Sequence, residues 1–203
     1  VECHGEAGKG DGTKAPNNPR PRDFTIGIFK FRSTPTGSLP TDDDLMRTIT
    51  VGVPGTEMRG WDSIPEPDRK AVVQYIKTFA TKWKNETPRA PLPIPSPPPF
   101  LRSEASVAKG QEWYREAECG KCHGESGEGD GADTDKLKDD WGQPIKPADF
   151  TTGRFKSGPG PSDLYRSIAT GIGGTPMPSF SDSLSEEETW HLVSFIFSLK
   201  GPF

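Results

Sequence analysis

Apolar residues recur at three- and four-residue steps in several stretches of the chain, which predicts helices and loops with little strand. From Ser103 to about Ala117, the positions Val107, Gly110, Tyr114 and Ala117 line one face while Lys109, Glu112 and Glu116 stay wet. The stretch from Thr41 to Val51 opens with an N-cap and the acidic first turn Asp42 to Asp44 and stops at Gly52. A matching helix is expected from about Ser162 to Thr170, ended by Gly171. Two further helices are expected at about Pro67 to Lys82 and Ser185 to Lys200, the second opened by the capping box Ser185-Glu-Glu-Glu188. Leu192, Phe195, Ile196 and Leu199 form the buried stripe of the last helix, mirrored by Val72, Val73, Ile76 and Phe79.

The mirroring is part of a repeat. Cys3-His4-Gly5-Glu6-Ala7-Gly8-Lys9-Gly10-Asp11-Gly12 matches Cys122-His123-Gly124-Glu125-Ser126-Gly127-Glu128-Gly129-Asp130-Gly131 at eight of ten positions. After a longer insertion in the second copy, Asp23-Phe24-Thr25 returns as Asp149-Phe150-Thr151, and Gly27, Phe29 and Lys30 return as Gly153, Phe155 and Lys156. The copies meet again at Gly55-Thr56-Glu57-Met58 and Gly174-Thr175-Pro176-Met177. Between them, residues 87–99 hold so many prolines that neither a helix nor a central strand is expected. As a polyproline II segment this linker would reach roughly 40 Å, holding the copies apart or lying along both. The expected organisation is a first domain at 1–86, a linker at 87–102 and a second domain at 103–203.

Composition narrows the picture. Only 31% of the 203 residues are hydrophobic, against 23 Gly and 22 Pro, so a core made of protein alone would be thin and a cofactor is expected to complete it. A net charge of −4 with no basic stretch argues against a nucleic-acid partner, and no apolar run is long enough to span a bilayer. The opening Val1-Glu2-Cys3-His4 reads as a motif entered partway, with residues expected ahead of Val1.

Three cysteines, Cys3, Cys119 and Cys122, cannot close a disulfide framework or a four-thiolate zinc site, and the Cys and His pairs lack zinc-finger spacing. Cys119-Gly-Lys-Cys122-His123 is the C-x-x-C-H pattern of c-type haem attachment, for which a redox dithiol is the competing reading. Two cysteines three apart each form a thioether, and the next residue then turns its imidazole onto the iron. Repetition of Cys-His-Gly-Glu around Cys3 and His4 favours haem in both copies. Met58 and Met177, at one repeat position in loops without helical periodicity, are the candidate sixth ligands; Met46, on a helix and replaced by Tyr165, reads as packing. His191, in the last helix beside Trp190, reads as a surface or supporting histidine.

On these motifs each half resembles a class I cytochrome c domain, and the whole resembles diheme cytochromes c of two fused domains. The resemblance implies a mainly α fold: two tandem cytochrome c-like domains, the first departing from the pattern in having neither an N-terminal helix nor a first haem cysteine. It implies two haem c groups, with iron ligands His4, Met58, His123 and Met177 and thioethers from Cys3, Cys119 and Cys122. His/Met ligation raises the reduction potential relative to bis-His ligation and leaves no vacant position for substrate. The implied function is electron transfer rather than enzymatic catalysis, as a soluble carrier or as the cytochrome subunit of a larger respiratory oxidoreductase complex with redox partner proteins. The alternative is a diheme enzyme such as a peroxidase with one open haem. Covalent haem attachment implies a periplasmic or otherwise extracytoplasmic home. The carbonyls of Pro21 and Pro147 are the candidate acceptors for the proximal His Nδ1, and Phe24, Phe29, Phe150 and Phe155 are expected against the porphyrins, so that a haem-free chain stays largely unfolded.

Overall fold

The computed structural model describes residues 1–17 and 19–200. Seven α-helices account for its regular structure: α1 (Asp42–Val51), α2 (Glu66–Lys77), α3 (Lys82–Asn85), α4 (Glu104–Glu116), α5 (Gly120–His123), α6 (Pro161–Thr170) and α7 (Glu186–Ser198), with a 3₁₀ turn at Thr134–Lys136. Among the described residues the only β pairing is two isolated bridges, Gly52 with Arg59 and Lys138 with Pro144. The chain divides into two compact units, Val1–Leu92 (unit 1) and Pro93–Phe203 (unit 2).

In unit 2, α7 is apolar and buried nearly all round, with Thr189 to Phe197 shielded from water, as a helix at the centre of a core must be. Ser185 and Glu188 close a capping box at its start, satisfying two N–H groups that the helix itself cannot. Helix α4 crosses it at Gly110, where a Cβ would run into the His191 carbonyl. Tyr114 lies edge-on to Phe195 at 5.1 Å and donates its hydroxyl hydrogen to the Gly124 carbonyl at 2.7 Å, tying the helix pair to the loop beyond α5.

The same crossing buries a polar chain. Ser194 Oγ donates to the Trp190 carbonyl (2.9 Å), and Ser106 Oγ donates to Ser194 Oγ (2.8 Å). Ser106 Oγ also lies 2.8 Å from His191 Nδ1, which joins the imidazole to the chain. His191 is therefore a core residue, 5% exposed, rather than a surface one. Its Nε2 faces Glu187 at 3.3 Å.

Unit 1 has a smaller centre: Phe29, Leu45, Ile49, Val73 and Ile76, with Phe24, Met46, Trp61 and Trp83 packed against it. Helix α1 starts with Thr41 and Asp44 capping one another's backbone amides and stops at Gly52, whose φ of 74° suits glycine. Helix α2 is shorter than its expected range. It ends at Lys77, where the Thr78 hydroxyl bonds the Tyr75 carbonyl (2.6 Å), and the chain turns before α3. The expected stripe also changes: Val73 and Ile76 are buried and Phe79 is half-buried, but Val72 is 41% exposed and Tyr75, on the same side, 58% exposed. Their counterparts Leu192 and Phe195 are buried by the α4 side of unit 2, and no helix among the described residues of unit 1 takes that place.

The proline-rich stretch is held at both ends. Arg89 N–H bonds Ser38 Oγ (2.9 Å) and Leu92 N–H bonds the Ser33 carbonyl (2.8 Å), both within unit 1. Ile94, Phe100 and Leu101 pack on the core of unit 2.

Candidate functional site

Glu118, at φ 57°, turns the chain out of α4, and Cys119 N–H bonds back to the Tyr114 carbonyl at 3.0 Å. The single turn α5 then carries Cys122 and His123, with His123 N–H on the Cys119 carbonyl at 2.9 Å. Beyond it the chain folds back onto the same turn: Gly129 N–H bonds the His123 carbonyl (2.8 Å), Gly131 N–H that of Cys122 (3.1 Å) and Asp133 N–H that of Lys121 (2.9 Å). Unit 1 repeats these bonds as Gly10 to His4 (2.9 Å), Gly12 to Cys3 (3.1 Å) and Lys14 to Glu2 (2.8 Å). The fold-back is close enough that a Cβ on Gly12 would strike the Glu2 carbonyl, and one on Gly131 that of Lys121. These contacts give the repeated Gly-x-Gly-Asp-Gly its physical reason.

Both proximal histidines are held alike. His4 Nδ1 lies 3.0 Å from the Arg22 carbonyl, and His123 Nδ1 lies 3.1 Å from that of Ala148. The acceptor is thus one residue beyond the expected Pro21 and Pro147, whose carbonyls instead approach the Cα of Gly10 and Gly129. Phe24 stacks on His4 (4.5 Å, 20°) and Phe150 on His123 (4.4 Å, 18°). Each phenylalanine is fixed by its amide on the carbonyl of Gly8 or Gly127, both at 2.7 Å. Asp23 and Asp149 close the turn that follows by accepting the backbone N–H of Thr25 (2.8 Å) and Thr151 (2.9 Å). Burial pushes both imidazoles below the usual histidine range, opposed by the bond to the carbonyl. Each ring is therefore neutral with Nδ1 donating, which leaves Nε2 as the nitrogen with a lone pair to give.

The methionine loops also match. The Val53 N–H bonds the Met58 carbonyl (2.7 Å), and the Ile172 N–H bonds that of Met177 (3.1 Å). Thr56 Oγ1 donates to the Val53 carbonyl (2.8 Å) and accepts from Met58 N–H (3.1 Å); Thr175 does the same with Ile172 (2.8 Å) and Met177 (3.3 Å). These threonines position the methionine backbone, a role that the recurrence of Gly-Thr-x-Met signalled and that reading for ligands alone passes over. His4 and Met58 reach one cluster by different routes. Phe24 joins His4 to Phe29, Leu45 and Ile49, and α1, which carries the last two, leads into the Met58 loop, where Trp61 N–H bonds the Ile49 carbonyl at 3.0 Å.

The donor set fits a covalently attached haem. Cys3, Cys119 and Cys122 are free thiols, each half-buried. Burial raises the Cys119 thiol to about 11 and also raises Cys122, the opposite of what a reactive dithiol needs. The Trp83 indole N–H is buried without an acceptor, edge-on to Phe29 at 6.2 Å, on the aromatic wall that continues through Phe24 to His4. Such a donor calls for an acceptor that the protein does not supply, and the carboxylates of a haem are of that kind. Among the described residues no three His, Cys, Asp or Glu side chains converge as a metal site.

Comparison with known proteins agrees. Residues 107–200 match the family model for cytochrome c. No curated protein matches the chain. Among solved structures, a chain of the reducing HAO-like protein complex of Kuenenia stuttgartiensis superposes with a TM-score of 0.92 and 46% sequence identity, over 97% of this chain and 90% of that one. At that identity over nearly the full length of both, this chain belongs to the same protein family as that component of the HAO-like complex, and its C-terminal half carries a cytochrome c domain.

Proposed function

We propose that the chain is an electron-transfer subunit with two haem c groups, one in each unit, acting within a protein complex outside the cytoplasm. Unit 1 would hold its haem through Cys3, His4 and Met58, and unit 2 through Cys119, Cys122, His123 and Met177. The observation that carries this reading is the identity of the two sites at the level of the backbone: the same histidine–carbonyl bond, stacked phenylalanine and threonine-braced methionine occur in both. Haem supplies reversible one-electron chemistry when bound. The protein orients each imidazole, keeps it neutral, and lines the site with apolar rings.

No helix of the described residues is long and apolar enough to cross a membrane. The structural relative comes from an HAO-like complex, which favours a role in passing electrons within an assembly of that kind. A second reading, a diheme enzyme with one open haem, draws on the same neighbour. Haem quantitation with visible and near-infrared spectra separates the two. Two low-spin haems per chain, both with the weak methionine-to-iron band, support the carrier; a high-spin haem that binds peroxide or carbon monoxide in the resting protein supports the enzyme.

A further inference from the structure

The repeat is interrupted by an insertion that only unit 2 carries: the stretch from Gly131 to Asp149 is seven residues longer than that from Gly12 to Asp23. Its centre is a small hairpin. Lys138 and Pro144 pair as an isolated bridge, Asp139 N–H bonds the Gln143 carbonyl (2.9 Å), and Ile145 N–H bonds that of Leu137 (3.1 Å). The Asp139 carboxylate closes the turn by accepting from Trp141 N–H (3.0 Å) and Gln143 N–H (2.9 Å). From the tip, Asp140 N–H reaches the Gly174 carbonyl at 3.2 Å, inside the loop that ends at Met177.

The equivalent carbonyl in unit 1 belongs to Gly55. Among the described residues no backbone N–H bonds it, and a Cβ on Gly55 would meet nothing within 4 Å. The two methionine loops share the bonds made by Val53 and Ile172 and by Thr56 and Thr175. Unit 1 adds Arg59 N–H on the Glu57 carbonyl (3.0 Å), where unit 2 has Pro178, and unit 2 adds Ser179 Oγ on the Ala169 carbonyl (2.6 Å). Only the Met177 loop is tied to a segment outside itself, through Asp140.

We infer that the hairpin 137–145 is a strap on the Met177 loop, and that the unstrapped Met58 loop is the one that yields its methionine to a small neutral nitrogen donor. The inference rests on the haem reading above. To swing Met177 away, the loop must also break the bond to Asp140, whereas the Met58 loop has no such bond to break. One net hydrogen bond changes a local opening equilibrium by roughly five- to tenfold. Unit 1 is then the half whose sixth position opens to a ligand, and Asp139 and Asp140 are positioning residues for Met177.

Imidazole titration of the intact haem-loaded chain, followed by the near-infrared methionine band, should show two steps separated by about five- to tenfold. The more sensitive step should vanish in a Met58→Leu chain, and Asp139→Ala should draw the less sensitive step toward the first. A single step, or an Asp139→Ala chain with unchanged midpoints, would overturn the strap. Hydrogen exchange of the unmodified chain needs no variant: amides at 172–177 should exchange several-fold more slowly than those at 53–58, and equal rates also defeat it. A chain that carries fewer than two haems would instead sink the haem reading, and the exchange comparison would still decide the strap.

Discussion

Units 1 and 2 hold their ligand loops with matching backbone bonds on unequal foundations. Unit 2 has a core cluster of fourteen buried apolar residues, ten of them on α6 and α7, whereas the core cluster among the described residues of unit 1 has five and α2 leaves Val72 and Tyr75 exposed. The histidine–carbonyl bonds nonetheless agree, at 3.0 and 3.1 Å, as do the glycine fold-backs. Site geometry is therefore set by short-range backbone bonds and glycine contacts, and the core decides how well that geometry survives on its own.

The largest expected effect is loss of haem. In a chain with Cys3, Cys119 and Cys122 all changed to Ala, unit 1 should lose amide protection throughout while α4 and α7 of unit 2 keep theirs. Sequence composition predicted unfolding of the whole chain; the core of unit 2 narrows that expectation to unit 1. Equal loss of protection in both units, read by hydrogen exchange, would remove the proposed difference between them.

Next is the α4–α7 crossing. Gly110→Val places a branched side chain against the His191 carbonyl, and should cost unit 2 about 3 kcal/mol or more. The methionine band of unit 1 should be unaffected. A thermal melt that shifts for both units alike would show that they fold as one.

The smallest effect concerns the buried polar chain. Ser106→Ala removes the hydrogen-bond partner of His191 Nδ1 and leaves that ring nitrogen unpaired in the core, at a cost of about 1–3 kcal/mol. The midpoint of chemical denaturation of unit 2 checks it. A change under a few tenths of a kcal/mol would mean that water reaches the imidazole.

Much of this was legible in the sequence because it depends on local chemistry. Thr41 and Ser185 cap helices as expected, and Gly52 and Gly171 end them. The Cys-x-x-Cys-His turn and the methionine loops follow from short motifs. What depended on the third dimension was not legible. The carbonyls serving His4 and His123 come from Arg22 and Ala148, while those of Pro21 and Pro147 turn toward Gly10 and Gly129, which residue spacing does not reveal. His191 read as a surface or supporting histidine because its partner Ser106 is 85 positions away on another helix. Val72 continued a convincing stripe, yet burial needs a neighbour as well as an apolar side chain.

The proline-rich connection has one more consequence, for proteolysis. Arg89 and Leu92 are bonded within unit 1, and Ile94, Phe100 and Leu101 pack on the core of unit 2, so the stretch is anchored at several points against being drawn into a protease cleft. Digestion that separates most two-domain proteins at their linker should here begin at exposed loop tips such as Gly37 and Gly142, where added side chains would meet open space.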